Sequence, residues 1–371
     1  MKIAFVTTNL CGGGAEKALL KLASALAGRR HEVHVILLEH VIEHAIDASL
    51  RTASLRLHAL SQPGRRVPKG FFGKFLSAWK LARLHRRLER DAPFDMTIST
   101  LPFADEVAVL ARLPRVWHRI ANTLSAEIGA LRRSNPRKAG RRLARYRRLY
   151  DGRNLIAVSD GVAQDLRERL GLARANIVRL YNLFDVAQIR RMALEPEADI
   201  PPQPYVLHIG RFARQKRHDL LFEAFKTLPE PYRLVLLANP GAELGEMLAQ
   251  SGIAERTIVA GFRKNPYPWI GKAELLVLCS DHEGLPNVLI EALICGTKAV
   301  STDCPSGPRE ILEGDLSRFL VPTNDPVALA NAMRQALDAK LVISAQHFEK
   351  FAADSVLRQC EALPQLWRQA A

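Results

Sequence analysis

Short apolar runs of strand length alternate with helix-period segments along almost the whole chain. This alternation restricts the fold more than any other feature. Residues 3–6 form such a run, followed by a glycine turn and then residues 15–26, where Ala18, Leu19, Leu22, Ala25 and Leu26 recur at helical spacing. Residues 33–38, 96–99, 116–120, 155–158 and 177–180 continue the series. Strands that are apolar on both faces need cover on both, which predicts a parallel sheet clothed by helices on each side.

The series breaks at residues 195–204, Glu-Pro-Glu-Ala-Asp-Ile-Pro-Pro-Gln-Pro, where four prolines in ten residues predict a stiff extended connector. Beyond it the alternation restarts at 205–209, 220–227, 234–237, 257–259, 275–278, 288–293, 299–301 and 319–321. The expected fold class is therefore α/β, with two Rossmann-like domains facing each other across a cleft. The expected boundaries are 1–194 for an acceptor-binding domain, 195–204 for the linker and 205–352 for a donor-binding domain. Residues 353–371 are expected to form a helix, interrupted near Pro364, that returns to the first domain. A chain of 371 residues is long enough for two such cores.

Charge separates the halves. The chain has 53 Lys+Arg against 38 Asp+Glu, formally +15. Residues 1–200 hold 35 basic and 19 acidic side chains, whereas 201–371 hold 18 and 19; residues 51–150 alone carry 23 against 6. The first half thus faces something anionic: nucleic acid, a membrane surface or a phosphorylated substrate. There is no RNP-type aromatic motif, zinc finger or obvious helix-turn-helix, so nucleic acid is not expected. Ordinary Gly and Pro content excludes collagen-like and wholly disordered chains. Five cysteines without a C-x-x-C pair fit a reducing cytosol better than a disulfide framework or zinc site. No apolar run approaches 18 residues, and the N-terminal segment lacks a signal peptide's hydrophobic stretch. The expectation is a soluble or peripheral cytoplasmic protein.

Three constellations can carry chemistry. Gly12-Gly13-Gly14-Ala15-Glu16 follows the first strand and opens a helix, where backbone N–H groups and the dipole attract phosphate; the same residues also read as a tight strand-to-helix turn. Gly210-Arg211-Phe212-Ala213-Arg214-Gln215-Lys216 follows the first strand of the second domain, and its Arg fork and Lys point charge suit two phosphates. A solvated basic loop is the plain alternative. Glu283-Gly284-Leu285-Pro286-Asn287-Val288-Leu289-Ile290-Glu291 places Pro286 at a helix start. It sets one carboxylate before the helix and one inside it, each able to accept two hydroxyl hydrogen bonds. The N–H groups of Leu285 to Val288 suit a diphosphate.

In this order and spacing, together with Cys304-Pro305-Ser306-Gly307-Pro308-Arg309-Glu310-Ile311, the chain resembles retaining GT-B glycosyltransferases of the GT4 type, in particular bacterial UDP-sugar enzymes of polysaccharide and lipid-linked glycan synthesis. The resemblance implies that Arg211 and Lys216 clamp the donor diphosphate, that Glu283 holds donor-sugar hydroxyls, and that Glu291 holds the ribose. It places Phe262 and the backbone of Arg263 at the base. It brings Gly13 and Gly14, and on the second domain Gly284, Leu285, Pro286, Asn287 and Val288, to the donor. Arg211, Lys216 and Glu283 are the expected catalytic residues; Glu16, His118 and Asn122 are candidates for the acceptor side. The subgroup has a histidine or similar polar residue just before the asparagine, whereas here Ala121 precedes Asn122. His118 is a possible substitute only if the strand ends between 118 and 121. No Asp-x-Asp occurs, and basic side chains can take a metal's place, so neither metal nor cofactor is expected.

Two basic segments, 71–88 and 137–150, interleave cations with aromatic and apolar residues at helical spacing. They suit an anionic membrane surface, or their apolar stripes simply face the domain's own sheet. A lipid-linked or phosphorylated glycan acceptor and a UDP-sugar donor are the expected partners. The alternatives are a GT-B sugar epimerase, whose catalytic carboxylate and histidine pattern is not evident, and a non-catalytic nucleotide-sugar or anionic-ligand binding protein.

Overall fold

The computed structural model describes residues 1–11, 13–42 and 54–368; Gly12 of the glycine run lies outside them. The chain divides into two compact units, Met1–Leu183 with Ala353–Ala371, and Phe184–Ala352.

The first unit is a seven-stranded parallel sheet. Its strands are β1 (Lys2–Thr7), β2 (Glu32–Leu37), β3 (Leu55–Ala59), β4 (Met96–Thr100), β5 (Val116–Ile120), β6 (Asn154–Ala157) and β7 (Asn176–Arg179). They lie in the order β3-β2-β1-β4-β5-β6-β7. Chain order reverses between β1 and β4, whose register runs from Ile3↔Met96 to Thr7↔Thr100. The helices are α1 (Gly14–Gly28), α2 (Phe71–Leu88), α3 (Pro102–Leu110), α4 (Leu124–Ser134), α5 (Pro136–Tyr150) and α6 (Asp160–Gln164). On α1 the buried residues Ala18, Leu19, Leu22, Ala23 and Leu26 follow the helical period. On α2, Ala78 and Leu81 pack with Val6, Ile36, Ala104 and Val107, and burying one such leucine contributes roughly 1.5–3 kcal/mol. β3 was not expected from sequence. It is an edge strand, mostly half-buried or exposed, so it needs no continuous apolar run.

The two basic helices have different fates. α2 leaves Phe71, Phe72, Phe75, Leu76 and Trp79 exposed, the first two at 70% and 86%. In α5 the apolar stripe is spent on the core, with Tyr146, Leu149 and Tyr150 buried. The expectation that 137–150 offers an apolar face to a membrane is corrected accordingly; of its large apolar residues Leu143 alone is only half-buried.

The second unit holds a six-stranded parallel sheet of β8 (Tyr205–Ile209), β9 (Arg233–Leu237), β10 (Thr257–Val259), β11 (Leu275–Leu278), β12 (Ala299–Thr302) and β13 (Leu320–Val321). The order is β10-β9-β8-β11-β12-β13, again with a reversal, here between β8 and β11. Its helices are α7 (Val186–Ala193), α8 (His218–Lys226), α9 (Ala242–Ser251), α10 (Tyr267–Gly271), α11 (Asn287–Cys295), α12 (Pro308–Ile311) and α13 (Pro326–Asp338). Asp185 caps α7 through the N–H of Gln188, and Asp325 caps α13 through that of Ala328.

The expected boundary at 194/195 moves. Residues 184–204 belong to the second unit because α7 packs on α10 and α11. Asn265 Nδ2 donates to the Met192 carbonyl and to Glu195, at 3.0 and 2.7 Å, and Asp199 pairs with Arg263 at 2.8 Å. The proline-rich stretch is thus a surface strap on this unit rather than a free linker.

The chain ends in α14 (Ala353–Glu361) and α15 (Leu363–Leu366), which carries Pro364 and belongs to the first unit. Glu361 accepts from Arg29 and lies 2.9 Å from His31 Nε2. Asn154 exchanges two hydrogen bonds with the Arg368 backbone.

Candidate active site

In open parallel sheets, ligands bind beyond the carboxyl ends of the strands where chain order reverses. In the second unit that point lies between β8 and β11, and the loops leaving β8, β11 and β12 meet there. Lys216 Nζ stands 2.6 Å from Glu283 Oε1, with side chains only 20% and 13% exposed. Arg211, on the same loop after β8, is exposed. A Cβ on Gly210 would lie 3.4 Å from both Lys216 Cε and His208 Nε2, so a larger residue presses on the lysine stem.

Backbone bonds fix these loops to one another. The Asp281 N–H donates to the Gln215 carbonyl at 2.8 Å, Gln215 Nε2 donates to the His282 carbonyl at 2.5 Å, and the Glu283 N–H reaches the Pro305 carbonyl at 3.2 Å. Gly307 has φ +100°, and a Cβ there would collide with the Pro286 ring and approach Leu285 Cα to 3.1 Å. Glycine is therefore required for the Cys304–Pro308 turn to support the Glu283 loop.

Arg217 also sits in left-handed backbone, at φ +50°. Its guanidinium bonds Asp219 on Oδ1 and Oδ2, Asp281 at 3.0 Å, and Asn324. Those bonds, led by the one to Asp219, raise its pKa above the ordinary arginine value. Behind the loop, burial pushes the His218 imidazole down to about 4 and the His208 imidazole to about 3, so both are neutral near pH 7.

The remaining second-unit candidates are spread around this edge. Glu291 lies just over one turn into α11 and faces the Tyr267 hydroxyl at 3.4 Å. Burial raises the pKa of that hydroxyl, with the Glu291 charge adding to it. The helix begins at Asn287, one residue later than expected, with Gly284, Leu285 and Pro286 buried and Asn287 and Val288 half-buried. Phe262 is 68% exposed after Gly261. The Arg263 side chain turns away to Asp199 and over the Trp269 ring, which leaves only its backbone for a base.

In the first unit, Gly13 and Gly14 stand at the head of α1, beyond the carboxyl end of β1. Glu16 is buried, its carboxylate folded over Gly13 where a Cβ would otherwise stand. β5 ends at Ile120, between His118 and Ala121, and leaves Asn122 half-buried two residues beyond the strand. His118 itself is buried in mid-strand. Its Nδ1 lies 2.7 Å from Ser99 Oγ and 3.4 Å from Asp105 Oδ1, and Tyr150 OH donates to Asp105 Oδ2 at 2.8 Å. That network commits Nδ1 to the core. Among the described residues no group of three His, Cys, Asp or Glu side chains is placed to hold a metal.

Sequence reasoning found Lys216, Glu283 and Gly307 but not the brace formed by Arg217, Gln215 and Asp281. An arginine at a left-handed position leaves no mark in a sequence pattern, and its partners are 64 and 107 residues away.

Two successive parallel-sheet α/β units, the second carrying a basic loop against an acidic one at its switch point, define a GT-B glycosyltransferase. Residues 12–188 match the family described as Glycosyltransferase Family 4, and residues 203–339 match Glycosyl transferases group 1. The chain belongs to this GT4-type family and is a glycosyltransferase. It is 28% identical over 343 residues to the Campylobacter jejuni N-acetylgalactosamine-N,N'-diacetylbacillosaminyl-diphospho-undecaprenol 4-alpha-N-acetylgalactosaminyltransferase, covering 91% of this chain and 90% of that one. A second C. jejuni relative, the GalNAc-alpha-(1->4)-GalNAc-alpha-(1->3)-diNAcBac-PP-undecaprenol alpha-1,4-N-acetyl-D-galactosaminyltransferase, is 24% identical over 97% of this chain and 94% of its own. Among solved structures, Anabaena HepE in complex with UDP and glucose superposes with a TM-score of 0.73 at 18% identity, covering 98% of this chain and all of that one.

Proposed function

We propose that this enzyme moves a hexose or N-acetylhexosamine from a UDP-linked donor to a lipid-linked or lipopolysaccharide glycan, retaining anomeric configuration and using no metal ion. The observation that carries the reading is the Lys216–Glu283 contact at the second sheet's switch point, made by the loop that also carries the exposed Arg211. The UDP in the HepE complex and the diphospho-undecaprenol acceptors in the names of the Campylobacter relatives support the two substrate classes.

In the transfer, the bond from the anomeric carbon to the donor phosphate oxygen breaks as the bond to the acceptor oxygen forms. The acceptor's proton passes to the departing phosphate. Negative charge grows on the diphosphate, and Arg211 and Lys216 neutralise it. Fixed charges of this kind supply the larger part of such catalysis. Donor binding exchanges the Glu283 partner of Lys216 for a phosphate and frees Glu283 for sugar hydroxyls. Glu291 takes the ribose, while Phe262 and the Arg263 backbone enclose the base. Asn122 and Glu16 serve the acceptor side. The two cations answer the electrostatic need that a divalent metal meets elsewhere.

The acceptor's lipid calls for a peripheral position on the cytoplasmic face of a membrane. Among the described residues no helix is long and apolar enough to cross one. The exposed aromatic side of α2, flanked by Lys80, Arg83, Arg86 and Arg87, suits insertion among anionic headgroups. The deciding experiment is turnover of a UDP-sugar panel on diphospho-lipid-linked acceptors, with and without EDTA. Sugar transfer that survives EDTA and gives an α-linked product from an α-linked donor is expected. Inversion, or inhibition reversed by Mg²⁺, overturns the corresponding part.

A further inference from the structure

A cavity of 380 Å³ opens at the amino ends of β5 and β6 in the first unit, the sheet edge opposite the one that bears Gly13 and Gly14. Its polar lining is Arg112, Arg115, Arg153, His118, Asn154 and Trp367; among the described residues no carboxylate lines it. Its walls are otherwise apolar, formed by Val109, Leu113, Pro114 and Val116 among others.

Among the described residues no ion pair engages the three guanidinium groups. Arg153 is half-buried and its Nε donates only to the Leu149 carbonyl; burial alone lowers its pKa, with no carboxylate acting against it. Arg115 donates to the Phe94 carbonyl. Among the described residues no carboxylate pairs with any of the three. The buried Trp367 Nε1 has no acceptor. Arg112 and Arg115 both lie in left-handed backbone, at φ +50° and +49°, a conformation that bulky residues adopt rarely. Arg112 and Arg115 are exposed at the mouth and Arg153 is half-buried behind them, so the site gathers three cations, one of them desolvated without a counter-charge among the described residues.

We propose that this cavity is a second anion site, separate from the donor edge, which takes a small organic phosphate whose ring or apolar body rests on Val109, Leu113 and Trp367. The volume lies at the small end of ligand pockets, enough for a monophosphate ester with one ring rather than for a nucleotide sugar. Guanidinium forks match phosphoryl oxygens bidentately. The phosphate can belong to a free metabolite or to a lipid headgroup, and the two are separable.

The test is calorimetric titration of the full chain, kept saturated with UDP, with phenyl phosphate and with phenol. It is paired with co-sedimentation on phosphatidylcholine vesicles containing phosphatidic acid. Arg153→Met and Arg112→Ser are compared with Lys340→Ser, which removes one exposed charge from the other unit; thermal melting checks that each variant folds. Phenyl phosphate, and not phenol, is expected to bind, at least tenfold more weakly in the Arg153 and Arg112 variants and unchanged in the Lys340 variant. Vesicle binding weakened in the same two variants and unchanged in the Lys340 variant, without phenyl phosphate binding, assigns the site to a headgroup, α2 supplying the binding that remains. Absence of both, or equal binding by all variants, overturns the proposal.

Discussion

Lys216 Nζ and Glu283 Oε1 lie 2.6 Å apart across two loops that leave neighbouring strands of one sheet, 67 residues apart in sequence. The pair holds the lysine of one loop and the carboxylate of the other in register. Lys216→Ala is therefore expected to lower kcat about a hundredfold or more. The melting temperature should move little, since the pair retains some solvent contact. Near-normal turnover would remove Lys216 from the diphosphate.

Arg217 separates strain from bracing. Arg217→Gly relieves a left-handed residue, a gain of roughly 1 kcal/mol, while deleting the fork to Asp219, Asp281 and Asn324. The expected outcome is a several-fold rise in donor KM with kcat less affected, and a melting temperature close to that of the parent. A fall in kcat with KM unchanged would show that the brace does not position the donor loops.

Stability should fall in acid. Unfolded, the imidazoles of His58, His208 and His218 take up protons near pH 6.5; folded, burial holds them back to about 4, 3 and 4. Between those values the unfolded chain binds more protons, so stability rises with pH. It is lost as pH falls below 6.5, each imidazole contributing a slope of up to about 1.4 kcal/mol per pH unit. Urea titrations between pH 4 and 7.5, repeated on His208→Gln, check this: the variant should show the shallower dependence.

Arg119 is a buried cation on β5 whose Nη2 reaches Asn182 while Nε and Nη1 find no partner among the described residues; burial pushes its pKa down to about 10. Replacing such a group with an apolar one of similar length is often neutral or stabilising. Arg119→Met should melt at the same temperature or higher. A drop of several degrees would mean that the guanidinium has a structural partner.

The aromatic side of α2 gives the membrane prediction. Phe72→Ser with Trp79→Ser should abolish flotation with anionic liposomes while leaving the melting temperature nearly unchanged, because both side chains are already exposed. Retained flotation would move the membrane contact elsewhere.

The sequence by itself determined the two parallel sheets and most of their strands, because a strand covered on both faces must be apolar at every position. β5, β8, β10 and β11 have the bounds expected from their apolar runs. It also located the loops of Lys216, Glu283 and Gly307, since each follows such a run. Tertiary structure decided what depends on neighbours distant in the chain. The exposed edge strand β3 leaves a weak pattern. α2 and α5 have similar interleaved sequences, yet α5 buries its aromatics whereas α2 buries Ala78 and Leu81 and leaves Phe71, Phe72, Phe75 and Trp79 exposed. The proline-rich 195–204 reads as a linker but is held by Arg263 and Asn265. His118 is tied by Nδ1 to Ser99, nineteen residues away. Periodicity reports which face of an element is apolar, whereas burial, pairing and charge compensation depend on what the folded chain brings against that face.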